Sequence, residues 1–150
     1  MNKPIFKEYD EGNVTTCHYT DKKGRTFFGK AVCAAEDQDV KSSYTGYSIA
    51  EYRCKIQYAK ALRDDAKIAY QAVKQAYYSM NNSKKFNRDS FEAKRLYRQM
   101  KIFEADYLDK KFNVIDLQRA LKLYLGYKDK IAKESRAKKD QKLDKNEKNG

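Results

Sequence analysis

An unbroken helical periodicity constrains the fold of this chain more than any other feature. Apolar side chains recur at intervals of three or four residues through two long stretches, and this spacing is typical of a helix with one apolar face. Pro4, the only proline, precedes both stretches, and Gly126 is the only glycine within them. The apolar positions are Ile49, Tyr52, Ile56, Ala59, Leu62, Ala66, Ala69, Val73, Ala76 and Met80, and then Ala93, Leu96, Met100, Phe103, Tyr107, Val114, Leu117, Leu121, Tyr124 and Ile131, with Lys110 and Lys128 interrupting the second series.

Capping motifs indicate where each helix begins. Ser48 and Glu51 have the spacing of a capping box, which predicts a helix over 48–80. The segment from Asp89 to Glu92 has similar spacing with Asp89 as the cap, and it predicts a second helix over 90–135. After that the chain turns to Lys, Asp, Asn and Gln, so residues 135–150 are expected to form a basic flexible tail behind a single domain, 1–134.

The segment before the helices has the composition of β-structure. Residues 13–34 contain two runs rich in Val, Thr, Tyr and Phe on either side of Asp21 to Gly24, a favourable turn sequence. This predicts a β-hairpin or small antiparallel sheet, and hence an α+β fold with two long antiparallel helices forming a coiled-coil-like oligomer. The second helix is the longer one, so part of its apolar stripe is expected to be covered by a second copy of the chain.

The composition argues against several classes of function. No run approaches the roughly 18 apolar residues of a membrane span, and the start lacks the apolar core of a secretory signal, so a cytoplasmic location is expected. The three cysteines are too few and too far apart for a disulfide framework or a CxxC metal pair, and they are read as reduced structural thiols. With a single histidine, His18, and no phosphate-binding glycine loop, no catalytic residue, metal site or cofactor is expected.

The net charge of +12 is concentrated in two places. Residues 83–101 carry seven basic and two acidic side chains, and residues 127–150 carry nine and five. Such patches attract polyanions of any kind, from nucleic acids to nucleotides.

Two clusters combine aromatic rings with cations, as a nucleotide site requires. Phe86, Asn87, Arg88 and Ser90, in the connector between the helices, offer a ring, an amide, a guanidinium and a helix N-terminus, although a plain basic loop explains them slightly better on sequence alone. For the second cluster, the alternative explanation is that the hairpin packs on the helix. It consists of Arg25, Phe27 and Phe28 in the hairpin, Tyr44 and Tyr47 before the first helix, and Arg53 within it.

Three segments together resemble a known family of phage proteins. They are Phe28-Gly29-Lys30-Ala31-Val32-Cys33, the acidic loop containing Glu36, Asp37 and Asp39, and Ser48-Ile49-Ala50-Glu51-Tyr52-Arg53-Cys54-Lys55. This pattern resembles the Thoeris anti-defence sponge family, in which an antiparallel sheet precedes two long helices. The resemblance covers residues 14–60 in motif and the remainder in architecture only, and the very basic C-terminal tail departs from it.

The resemblance implies a protein that sequesters cyclic ADP-ribose-type immune signals of the host without cleaving them, with cyclic oligonucleotides as a further ligand class. It implies a homodimer or higher homo-oligomer, because the family's pocket lies at a subunit interface. That pocket uses aromatic, amide and arginine side chains. In this sequence the residues in comparable elements are Arg25, Phe28, Tyr47, Arg53, Phe86, Asn87 and Arg88.

Two other functions remain open on the sequence. The basic patches suit a helical nucleic-acid-binding protein, for example an inhibitor of a host nuclease. The long helices would also suit a phage structural or assembly protein whose only role is to build an oligomer.

Overall fold

In the computed structural model of the protein, the described residues are 5–9, 13–33, 43–81 and 90–148. They form strands β1 (Ile5–Tyr9), β2 (Val14–Thr20) and β3 (Thr26–Val32), followed by helices α1 (Ser43–Asn81) and α2 (Phe91–Lys148). The α+β class and the order of sheet and helices predicted from the sequence are confirmed.

The three strands form one antiparallel sheet in the order β1-β2-β3. In the β2–β3 hairpin, Cys17 lies opposite Gly29 and His18 lies opposite Phe28. Strand β1 continues the sheet, with Ile5 opposite His18. The small sheet therefore begins before the predicted hairpin, since residues 5–9 add an edge strand.

Asp21 organises the turn between β2 and β3. One of its carboxylate oxygens accepts hydrogen bonds from the backbone amides of Lys23 and Arg25, each at 2.9 Å. Gly24 has a φ of 80°, the left-handed conformation that glycine adopts without steric cost. The predicted turn is therefore fixed by one side chain and one glycine.

The chain divides into two compact units, residues 1–57 with 117–150, and residues 58–116. The single domain expected over 1–134 stays a prediction. The core of the first unit contains the buried residues Cys17, Ala31, Ala50 and Cys54, with Tyr19, Phe27 and Ile49 packed against them.

The second unit contains antiparallel segments of α1 and α2. Tyr70 stacks on Tyr107 with ring centroids 6.3 Å apart, and Tyr77 contacts Tyr97 at 5.8 Å. Later residues of α1 thus contact earlier residues of α2, as in a helical hairpin.

Both helices are longer than predicted. Helix α1 begins at Ser43 rather than Ser48, and Gly46 lies so close to Thr15 of β2 that a Cβ there would be 2.9 Å from the Thr15 hydroxyl oxygen. This tertiary contact outweighs the local capping signal at Ser48. Helix α2 continues to Lys148, beyond the predicted end at Ser135, because the last segment contains good helix formers and no Pro or Gly up to that point.

Candidate ligand-binding site

The two faces of β3 have different surroundings, and this decides which side chains can meet a ligand. Phe27, Gly29 and Ala31 share the face that packs on α1, and the hypothetical Cβ of Gly29 would overlap the Ala50 carbonyl oxygen. The alternate residues Thr26, Phe28, Lys30 and Val32 are exposed on the other face. We call this second surface the outer face of the sheet.

Phe28 is the aromatic centre of the outer face. Its side chain is 57% exposed, and its ring meets His18 edge-on at a centroid distance of 4.7 Å. The His18 ring is held in place by a 3.1 Å hydrogen bond between its Nε2 and the Thr16 hydroxyl. A flat ring that is more than half exposed can stack on a nucleobase.

One cation of β3 and one of α1 lie close to this strand. Lys30 shares the outer face with Phe28 and is exposed. Arg53 of α1 is also exposed, and its guanidinium donates a hydrogen bond to the Lys30 backbone carbonyl at 2.5 Å. This bond anchors one end of the guanidinium beside the strand and leaves further N–H groups for an anion. We call Phe28, His18, Lys30 and Arg53 the β3 site.

Arg25 lies on the opposite face from Phe28. Its guanidinium forms a 2.8 Å ion pair with Asp21 and lies 5.7 Å from the centroid of the Phe27 ring. Burial acts to raise the pKa of Asp21, but the backbone and side-chain hydrogen bonds from Arg25 outweigh it, so the pKa lies below its usual value. Arg25 therefore stabilises the turn, and the structure does not join it to the β3 site.

The structure gives Tyr47 and Ser90 other surroundings. Tyr47 is half-buried, and helical geometry places it about 120° around α1 from Arg53. Ser90 caps α2, because its hydroxyl accepts a 3.2 Å hydrogen bond from the Ala93 amide. The prediction that Asp89 is the cap was therefore wrong by one residue.

The other predicted connector residues, Phe86, Asn87 and Arg88, lie outside the described residues. The sequence analysis did not assign His18 or Lys30 to a ligand site. The signal for Lys30 was present in the alternation of β3, which places it on the face of Phe28. His18 belongs to the β3 site because the register of β2 and β3 places it opposite Phe28. No local sequence pattern specifies that register.

The cysteines have the structural role that their flanking residues predicted. Cys17 and Cys54 are buried free thiols, and Cys33 is half-buried. Burial, reinforced by the neighbouring Cys54, raises the pKa of the Cys17 thiol to about 12. Cys17 and His18 point to opposite faces of β2, so they do not form a nucleophile and base.

Within the part of the chain that the structure describes, no cluster of three or more His, Cys, Asp or Glu side chains is placed to hold a metal ion. Neither described helix contains a stretch long and apolar enough to cross a membrane.

No protein-family model, curated protein or solved structure matches this chain.

Proposed function

We propose that the protein is a phage-encoded anti-defence protein that binds and sequesters cyclic nucleotide immune signals in the host cytoplasm. The ligands are cyclic ADP-ribose isomers, with cyclic oligonucleotides as a second class, and they are held without being cleaved. The observation that carries this proposal is the β3 site, where an exposed aromatic ring and a lysine share one face of β3 and an arginine of α1 is bonded to the same strand.

The chemistry of such ligands matches the β3 site. A cyclic ADP-ribose isomer has an adenine ring that can stack on Phe28 and a pyrophosphate that carries negative charge. The Arg53 guanidinium can donate paired hydrogen bonds to phosphate oxygens, and Lys30 adds a point charge. Sequestration requires these contacts and no nucleophile or general base.

We also propose that the protein acts as a homodimer or higher homo-oligomer. The outer face of the sheet is open, and a pocket that retains a small molecule must surround most of its surface. Helix α2 offers an apolar surface for a second copy, since Leu123 is 76% exposed and Tyr127 and Ile131 lie one and two turns further along the helix with 61% and 38% exposure.

Native mass spectrometry of the full chain with and without cyclic ADP-ribose isomers tests the proposal. We expect one ligand mass per site on a dimer or larger assembly, and release of the unaltered ligand on heating. Release of a cleaved product would show an enzyme instead. If neither these isomers nor cyclic oligonucleotides bind, the proposal is wrong.

Matched variants locate the site. Phe28→Ala is expected to weaken ligand binding at least roughly tenfold, as loss of a stacked ring does. Phe112→Ala removes a ring that is also 57% exposed, but from α2, and should leave binding unchanged. Arg53→Gln should likewise weaken binding more than Arg119→Gln, which removes an exposed arginine of α2. Equal effects within each pair would refute the assignment of the β3 site.

A further inference from the structure

The second unit presents a row of tyrosine rings near the ends of its two helical segments. Tyr77 contacts Tyr78 with ring centroids 5.7 Å apart and an interplanar angle of 69°, and it contacts Tyr97 of α2 at 5.8 Å. The side chains of Tyr78 and Tyr97 are 47% and 46% exposed. The apolar periodicity explains Tyr77 as a packing residue, but it does not explain why the two flanking rings are half in solvent.

Cations lie at both ends of this row. The Lys74 ammonium is 6.0 Å from the centroid of the Tyr78 ring, and the Lys101 ammonium is 5.6 Å from that of Tyr97. Lys94 and Arg98 line a shallow cavity together with Tyr77 and Tyr97. The row of rings is therefore flanked by positive charges, and we call these residues the tyrosine–cation surface.

The surface continues along the first turns of α2. Lys94 and Arg98 also line a neighbouring groove with Phe91, Arg95 and Ile102. Phe91 is 78% exposed, so the groove offers another ring to a ligand.

The charge around these rings is strongly positive. Within residues 71–81 and 90–104 there are five basic side chains, Lys74, Lys94, Arg95, Arg98 and Lys101, and two acidic ones, Glu92 and Glu104. Glu104 accepts a 3.1 Å hydrogen bond from the Tyr70 hydroxyl and lies 3.8 Å from Lys101. The surface thus has an excess of positive charge for an extended anion.

We infer that the tyrosine–cation surface binds single-stranded nucleic acid without sequence preference. Half-exposed rings can stack on successive bases, because every base has a π-face, while lysines and arginines contact the phosphates between them. A duplex hides its base faces inside the helix, so it can use only the cations. This activity goes beyond the proposed sequestration of small signals, and it uses none of the residues of the β3 site.

Fluorescence anisotropy on the full chain tests the inference, with labelled oligo(dT) of about 20 nucleotides as the probe and a duplex of equal length for comparison. We expect the single strand to bind more tightly than the duplex and to weaken as KCl is raised. The plot of log K against log[KCl] has a negative slope. The Lys94→Gln/Arg98→Gln variant should make this slope less steep by about 1.4, the effect of losing two phosphate contacts to a single strand. The control variant Lys138→Gln/Lys142→Gln removes the same charge from the exposed C-terminal part of α2 and should change the slope less.

The tyrosines separate stacking from simple charge attraction. Tyr78→Ala/Tyr97→Ala should weaken binding of oligo(dT) at least roughly thirtyfold, since two stacked rings are lost, and leave binding of the duplex unchanged. Tyr97→Leu retains apolar bulk, so it shows the loss of stacking even if the double variant folds poorly. Phe112→Ala removes an exposed ring from a part of α2 outside this surface and should have no effect.

Three outcomes would overturn the inference. They are absence of oligo(dT) binding at low salt, equal affinity for single strand and duplex, and unchanged oligo(dT) binding after loss of the tyrosines. Phe28→Ala should not alter oligo(dT) binding, so this test is independent of the proposed function.

Discussion

Gly29 of β3 lies against the backbone of α1, where any Cβ would overlap the carbonyl oxygen of Ala50 and crowd the amide of Cys54. The opposing atoms belong to the helix backbone and cannot rotate away as a side chain could. This contact sets the distance between sheet and helix. It thereby also sets the position of Arg53, which reaches the next residue of the strand, Lys30.

Gly29→Ala should destabilise the protein by about 3 kcal/mol, the range seen when a packed site is overfilled. Gly126→Ala is the matched control, because no atom lies within 4 Å of the hypothetical Cβ of this helical glycine. It should stabilise the protein by roughly 0.5–1 kcal/mol. Urea unfolding followed by circular dichroism measures both, and a loss of stability for Gly126→Ala or none for Gly29→Ala would contradict the packing described.

Asp21→Asn should lower the thermal midpoint at neutral pH, because Asp21 is the acceptor for two amides and the Arg25 guanidinium. The pKa of this carboxyl is below its usual 3.8 in the folded state. The ionised carboxylate therefore contributes its full stabilisation above pH 3.8, and this stabilisation is lost as the pH falls through the pKa of the folded state. The difference in midpoint between wild type and variant should therefore shrink in acid. Asp64→Asn removes an exposed helical partner of Arg63 and should leave the midpoint at neutral pH nearly unchanged.

Tyr70 and Tyr124 should respond in opposite ways to loss of the hydroxyl. The Tyr70 hydroxyl donates to Glu104, whereas the buried Tyr124 hydroxyl has no hydrogen-bond partner in the described part of the chain. Tyr70→Phe should lower the thermal midpoint, and Tyr124→Phe should raise stability by about 1 kcal/mol, since an unpaired buried hydroxyl costs free energy. Calorimetry on the two variants gives the comparison, and a stability loss for Tyr124→Phe would show that its hydroxyl has a partner.

Periodicity predicted the existence of both helices, because an apolar face repeated over ten positions permits few other structures. Their ends were predicted less well. The start of α1 depends on Gly46 meeting Thr15, a contact between residues far apart in sequence, and the end of α2 depends on the propensity of charged residues that bury nothing. Strand β1 was not predicted, although Ile5, Phe6 and Tyr9 are residue types that favour strands, because a segment of five residues becomes a strand only by pairing with β2.

The candidate site was predicted in part. Phe28 and Arg53 were both singled out, and alternation along β3 already placed Lys30 beside Phe28. Arg25 was also singled out, and its ion pair with Asp21 and its contact with Phe27 hold it on the face opposite Phe28, as the alternation along β3 predicted. His18 required the register of two strands, which is a property of the folded sheet and not of either segment alone.

Burial protects the Cys17 thiol from modification, and this gives a prediction about chemical reactivity. Cys17 is fully buried and Cys54 is 3% exposed, whereas Cys33 is half-buried. At neutral pH an aromatic disulfide reagent should label Cys33 first, and the other two only as fast as the first unit opens. Equal labelling rates for all three thiols in the folded protein would contradict this packing.

The raised pKa of the Cys17 thiol predicts that the protein loses stability in alkali. The pKa of Cys17 is raised from 9.0 to about 12 in the folded state by burial, with a further contribution from Cys54. In the unfolded chain the thiol ionises around pH 9.0, whereas in the folded protein it remains protonated. The contribution of Cys17 to stability is therefore complete below pH 9.0 and is lost as the pH rises towards 12. Tyrosines and lysines also titrate in this range, so the test compares the pH dependence of urea unfolding in wild type and Cys17→Ala. The stability of the variant should fall less steeply above pH 9.0, and identical slopes would show that Cys17 ionises at its ordinary pKa.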